Sequence, residues 1–419
     1  MSKNKLIPEL RFPEFKNEGE WEYEELGKVS EIVRGGSPRP IQDYLTTSDD
    51  GLNWLKIADV PSDSKYITGT KEKVIKEALS STREVNIGDL ILSNSMSFGR
   101  PYILKIRTCI HDGWIAIRKI SKVTFEDYLY YFISSESSQS YFNSNAAGAA
   151  VKNLNADIIK LLPIHFPNNK KEQQKIASCL SSLDEVIAAH NQKLDLLKDH
   201  KKGLMQNLFP QEGEKVPKVR FPEFHSPLVK VGFADLGDIK IGLTHKPDYI
   251  NSGVPFLSSK NISNGYIDFT NVQYISREKF ESMPESTKPK LGDILFTRVG
   301  SNLGNPIVLE QDIEFGIFVS LGAFRVNKKA NNFYMKYWME SDLFWKQVNQ
   351  KVAGGAKDNL NSTWLREFEL FIPSVEEQQK IASCLSSLDA LITAQAEKIE
   401  QLKQHKKGLM QGLFPKMND

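Results

Sequence analysis

Glu172–Pro210 reads EQQKIASCLSSLDEVIAAHNQKLDLLKDHKKGLMQNLFP, and Glu377–Pro415 reads EQQKIASCLSSLDALITAQAEKIEQLKQHKKGLMQGLFP. About 28 of these 39 positions are identical at a constant offset of 205 residues, so the chain is one unit written twice. Within each copy apolar residues recur at alternating steps of four and three, the heptad rule of a coiled-coil seam. The first seam is Ile176, Leu180, Leu183, Ile187, Leu194, Leu197, Leu204 and Leu208; the second is Ile381, Leu385, Leu388, Ile392, Ile399, Leu402, Leu409 and Leu413. Asn169-x-x-Glu172 and Ser374-x-x-Glu377 have the form of capping boxes, and Pro210 and Pro415 close the helices. At 1.5 Å per residue, about 40 residues make a rod on the order of 60 Å long.

Both seams turn polar at the same places, His190/Gln395 and Lys201/Lys406. Local solvation of a loose stretch explains this, and so does a register device, because a buried polar layer penalises misalignment. A second echo lies upstream: Leu10-Arg11-Phe12-Pro13-Glu14-Phe15 matches Val219-Arg220-Phe221-Pro222-Glu223-Phe224. Each copy therefore runs from this motif through a variable block to a helix. The Gln211–Lys218 linker is short, and parallel pairing would need a long return connection. We therefore expect antiparallel helices, pseudo-twofold symmetry and neighbouring chain ends.

The two blocks, Trp21–Pro167 and Val229–Pro373, share only islands such as Gly88-Asp89 with Gly292-Asp293, and Asn153-Leu154-Asn155 with Asn359-Leu360-Asn361. Short β-rich runs (Asp89–Leu92, Trp114–Ile117, Asp293–Phe296, Ala323–Val326) precede aromatic-rich stretches, Asp127–Ser144 and Asn332–Gln350, that read as helices. The expected fold class is α+β, with two similar domains of roughly 150 residues joined by the two long helices. The expected boundaries are 1–168, 169–210 (helix), 211–373, 374–415 (helix) and 416–419 (tail).

The net charge of +2 neither demands nor excludes nucleic acid, since phosphate contacts need a local basic surface. Loops that mix basic, amide and hydroxyl side chains are the candidates for contact with phosphates and base edges. In the first block these supply Arg34, Ser37, Arg39, Asn94, Ser97 and Arg100. The second block supplies Thr244, Lys246, Lys260, Asn261, Arg298, Ser301, Asn302 and Asn305. Ordinary turn chemistry explains any single member equally well. No Walker A sequence, HExxH or paired-cysteine zinc motif occurs, and Cys109-x-His111 reads as structural. Neither a spanning apolar run nor a signal core is present, and three cysteines suggest reduced thiols in the cytoplasm.

The duplicated EQQKIA-to-GLMQ segment, with Arg-Phe-Pro-Glu-Phe before each block, resembles the specificity subunit of type I restriction–modification systems. The resemblance covers essentially the whole chain. It implies that each block is a target recognition domain reading one half of a bipartite double-stranded DNA site. It also implies that the helices set the gap and dock two methyltransferase subunits. Those partners would bind S-adenosylmethionine and methylate adenine, and restriction subunits would join with ATP and Mg. No cofactor is expected in this chain, which lacks the Asn- or Asp-Pro-Pro-aromatic tetrapeptide of an adenine methyltransferase. Two competing expectations are a coiled-coil scaffold displaying protein- or glycan-binding domains and a fused enzyme with an unfamiliar active site.

Overall fold

The computed structural model describes residues 6–61, 64–94, 98–146, 154–263, 265–300, 303–352 and 359–415. The chain divides into two compact units, Met1–His190 with Lys398–Asp419, and Asn191–Glu397. These units cut across the boundaries expected from sequence, because each contains one variable block, the start of the helix that follows it and the end of the other long helix.

The first unit is built on the strands β1 (Glu31–Arg34), β2 (Tyr66–Ile67), β3 (Leu90–Ser93), β4 (Pro101–Leu104) and β5 (Trp114–Arg118), in the order β1-β5-β3-β4-β2. All pairings are antiparallel except β2 with β4. The apolar runs DLIL and WIAI lack polar alternation because both faces of this sheet are covered. Leu90, Leu92, Ile115 and Ile117 face a core with helix α1 (Glu126–Ser134). Ile91, Trp114 and Ala116 face Leu55, Val85 and Ile110 of a second small sheet. Helix α2 (Glu136–Asn145) starts directly after α1, where Ser135 breaks the run and caps the next helix through Ser138 N–H. The single aromatic stretch is thus two helices.

The second unit repeats the plan, with β6 (Gly237–Ile241), β7 (Ile294–Thr297), β8 (Gly304–Val308) and β9 (Leu321–Val326) in the order β6-β9-β7-β8. Ile294, Phe296 and Phe324 face helix α3 (Asn332–Glu340), while Leu295, Leu321 and Ala323 face the other layer. Ser341 separates α3 from the next helix, Asp342–Val352. The islands shared by the blocks are structural. Gly88 and Gly292 adopt φ of 89° and 85°, which side chains disfavour, and the following aspartates accept backbone N–H groups across the turn. Asn155 and Asn361 cap short helices.

The long helices are Lys170–Leu208 and Val375–Leu413. In the first unit Ile176, Ala177 and Leu180 share a core with Leu413 and Phe414, and Lys406 Nζ lies 2.5 Å from Asp184. In the second unit Ile381, Ala382 and Leu385 share a core with Leu208 and Phe209, and Lys201 Nζ lies 2.7 Å from Asp389. The start of one helix therefore packs on the end of the other, the antiparallel sense, and the same contact is made in each unit. Every residue of both seams is buried or half-buried, including His190, Gln395, Lys201 and Lys406.

The repeated motifs lock helix starts to their blocks. Arg11 makes two bonds to the Glu172 carboxylate at 2.7 and 2.8 Å, and Arg220 binds Glu377 the same way at 2.7 and 2.6 Å. This corrects the capping-box reading in part. Asn169 does accept the Lys171 N–H, but the carboxylate of Glu172 goes to arginine. Gln173 and Gln378 then donate to the Pro167 and Pro373 carbonyls at 2.9 Å. Leu10 N–H donates to Gly412 O at 2.8 Å, and Val219 N–H makes the matching bond to Asn207 O at 3.0 Å. Among the described residues no helix is long and apolar enough to cross a membrane.

Candidate nucleic-acid interface

In the first unit the loop after β1 is drawn against the start of β5. Gly35 and Gly36 N–H groups donate to Trp114 O and Ile110 O at 2.9 and 3.1 Å. A Cβ on Gly35 would lie 2.1 Å from His111 O, so only glycine allows this approach. Asp112 is the hub of the cluster. Its carbonyl accepts from Arg34 Nε at 3.1 Å and Asn94 Nδ2 at 2.9 Å. Its carboxylate accepts from Ser37 Oγ at 2.9 Å and lies 3.5 Å from Arg39. Burial works to raise the Asp112 carboxyl, but the Ser37 hydroxyl and the adjacent His111 hold it below its ordinary value. His111 is shifted down by burial, and its Nδ1 accepts the Gly113 N–H at 2.7 Å, which requires that nitrogen unprotonated.

The second unit anchors its loops by the same backbone logic with different side chains. Gly242 N–H donates to Leu321 O at 3.2 Å, and its Cβ would meet Phe318 O at 2.2 Å. Leu360 N–H donates to Arg298 O at 2.8 Å, as Leu154 N–H does to Asn94 O at 3.1 Å. Arg298 Nη1 donates to Val319 O at 3.0 Å, the counterpart of the Asn94-to-Asp112 bond. Ser258 N–H is taken by Asn261 Oδ1 at 3.0 Å, and Lys56 N–H by Asp59 Oδ2 at 3.0 Å.

These geometries sort the candidates. Arg34 and Arg39 in the first unit, and Thr244, Lys246 and Lys260 in the second, are exposed. Ser37 and Arg100 are half-buried, Arg100 with its guanidinium 5.4 Å over the Tyr102 ring. Lys246 sits 5.2 Å over Tyr249. Asn94, Asn261 and Arg298 point inward, a correction to their reading as surface contacts. Arg298 is 7% exposed, bonds Leu360 O and Val319 O, and has its pKa lowered by burial. Asn261 is tied to Asp268 O and Asn271 O as well as to Ser258. Asn94 and Arg298 tie their loops to the carbonyls of Asp112 and Val319, and Asn261 ties together its own turn. Asn305 is half-buried in β8 at φ 41°. Ser97, Ser301 and Asn302 lie outside the described residues.

Sequence reasoning missed Asp112, because a lone aspartate in Cys-Ile-His-Asp-Gly-Trp carries no local signature of a hub. The flanking Gly-Trp and the facing Gly35-Gly36 were the available signal. Cys109 is buried, and burial pushes its thiol up to about 11. No cluster of metal-ligating side chains occurs among the described residues. Braced loops present guanidinium, ammonium and hydroxyl groups, the donors that match phosphates and base edges.

The family described as type I restriction modification DNA specificity domain matches residues 18–199 and 229–404. The chain is 24% identical over 420 residues to the MjaVIII specificity subunit of Methanocaldococcus jannaschii, covering 96% of this chain and 92% of that one. It is 22% identical to the EcoKI specificity subunit of Escherichia coli over 295 residues, 68% of this chain and 62% of the relative. Its fold is similar to the S subunit of M. genitalium, with a TM-score of 0.60 at 15% identity over 98% of this chain and 100% of that one. A chain from a type I R-M system studied for complex assembly and conformational transition gives a TM-score of 0.61 at 17% identity, covering 94% of this chain and 97% of that one. With two matched domains that together take in most of its length, this chain belongs to the type I restriction–modification DNA specificity family.

Proposed function

We propose that this chain supplies sequence specificity to a type I restriction–modification complex in the cytoplasm, each unit reading one half of a bipartite DNA site. The observation that carries the reading is a pair of loop clusters with the same bracing and different outward side chains. Arg34, Ser37, Arg39 and Arg100 are the contacts of the first unit; Thr244, Lys246 and Lys260 are those of the second. Guanidinium groups grip guanine or phosphate in two-point fashion, whereas lysine acts as a point charge. The inward Asn94, Asn261 and Arg298 act indirectly, by holding those loops.

The paired helices set the gap between half-sites and dock two methyltransferase subunits, with restriction subunits joining the assembly. This chain performs no catalysis. S-adenosylmethionine, and ATP with Mg for restriction, belong to the partners, which supply adenine methylation and cleavage. The test is methylation mapping in a host that carries the partner subunits. A bipartite adenine-methylated site that disappears when this gene is removed is expected. Methylation that persists unchanged without the gene would reject the reading, as would DNA shifts that ignore salt concentration.

A further inference from the structure

Each unit holds a charge-neutral node where its variable block meets the paired helices. In the first unit, Lys406 lies 2.5 Å from Asp184, whose other carboxylate oxygen accepts the Tyr131 hydroxyl at 2.8 Å. Lys65 reaches Asp127 at 2.6 Å and the Tyr131 hydroxyl and Ser181 Oγ at 3.3 and 3.4 Å. In the second unit, Lys201 lies 2.7 Å from Asp389, which accepts the Tyr337 hydroxyl at 2.7 Å. Lys336 reaches Asp389 and Glu340 at 3.1 and 3.0 Å, and the Tyr337 hydroxyl also reaches Ser386 Oγ at 3.1 Å. Each node thus has two ammonium groups, two carboxylates and one tyrosine.

The division of labour is the informative part. The repeated helices supply the same lysine, aspartate and serine both times, at the offset of 205 residues. The blocks supply the rest from unlike places: Lys65 and Asp127 in one, Lys336 and Glu340 in the other. Only the tyrosine is common to both, in Tyr128-x-x-Tyr131 and Tyr334-x-x-Tyr337, each followed by serine and an acid. That acid makes a second contact with the repeat: Gln411 donates to Glu136 at 2.6 Å, and Gln206 faces Asp342 at 3.5 Å. Two divergent blocks have arrived at the same charge count on the same socket.

We infer that Lys406, Asp184 and Ser181, and likewise Lys201, Asp389 and Ser386, form a socket that fixes the rotation of each recognition domain on the helices, making them positioning residues for half-site spacing. The reading rests on the proposed function. Apolar packing alone tolerates small rotations, whereas a half-buried ion pair with a directed hydroxyl penalises every misaligned setting. Any recognition domain that presents the tyrosine with one lysine and one carboxylate would seat in the same register.

The test uses the assembled complex with its methyltransferase subunits and compares Tyr131→Phe, Tyr337→Phe, Lys406→Met and Lys201→Met. Methylation is read at the natural gap and at gaps one base pair longer and shorter. The expected result is a loss of gap discrimination of about tenfold, the scale of one charge-assisted hydrogen bond, with both half-site sequences unchanged. The phenylalanine variants keep the buried ring, so they remain interpretable if a methionine variant fails to fold. A complementary swap, Asp184→Lys with Lys406→Asp, should restore part of the discrimination. Folded variants with wild-type gap preference would overturn the inference while leaving the proposed function intact. A wild-type complex without bipartite methylation would overturn both.

Discussion

Replacing Arg11 by alanine tests the most economical contact in the fold, the two-point grip on Glu172. The carboxylate side chain is 1% exposed and the guanidinium 7% exposed, so neither is bathed in water. Removing the arginine strands a carboxylate in a dry site, which in general costs about 3–5 kcal/mol. A proton offers an escape. Holding one on an ordinary carboxyl at pH 7 costs about 1.36 kcal/mol per pH unit above ~4.3, or roughly 3.7 kcal/mol, and this bounds the penalty. The bound falls to about 1 kcal/mol at pH 5, so the destabilisation should shrink between pH 7 and pH 5, by at most about 2.7 kcal/mol. Urea unfolding followed by the fluorescence of Trp21, which is buried and whose backbone N–H donates to Leu6 O at 2.8 Å, reports on this region. Adding Glu172→Leu to the variant should recover most of the loss, because no charge is left to bury. A pH-independent penalty, or a double variant as unstable as the single one, would refute the reasoning.

Three further outcomes follow from single features. Burial holds the folded His111 pKa below its ordinary value of 6.5, so its contribution is complete above pH 6.5 and lost as pH falls through the folded value. Phe318 makes the corresponding backbone turn in the second unit. Lowering the pH from 7 to 5.5 should therefore weaken reading of the first half-site selectively in filter-binding assays, and equal losses at both would count against it. Gly203 and Gly408 lie inside helices with open space where a Cβ would stand, so alanine should stabilise each helix by about 0.5–1 kcal/mol. Thermal unfolding checks this, and a destabilised protein would contradict it. A permutant that joins Pro415 to Ile7 through a polar linker and opens between Gln211 and Lys218 should fold, because the Leu10–Gly412 bond already brings those segments together. An aggregated permutant with wild-type composition would refute that placement.

Much of the scaffold was legible because it follows period and duplication. The heptad steps located both helices, and the short linker indicated their antiparallel sense. The domain boundaries were less so. A linear division assigns each long helix to one segment, whereas antiparallel packing places Lys170–His190 and Lys398–Leu413 in the same unit. Loop composition located the strand-end clusters but carried no information on which side chains turn inward. Arg298 and Asn261 have the residue types of base readers, and only the backbone bonds of their neighbours consign them to bracing. The nodes at Tyr131 and Tyr337 were invisible for another reason: Lys65 and Lys336 perform one electrostatic task from positions unrelated in the repeat.

Exchanging Trp21–Pro167 for the corresponding block of another specificity subunit, followed by genome-wide methylation mapping with the partner subunits present, tests the division of reading between the units most directly. One half-site should change to that of the donor block, while the other half-site stays as it was. A new sequence at both halves, or the old sequence at both, would contradict the assignment of one reader to each unit.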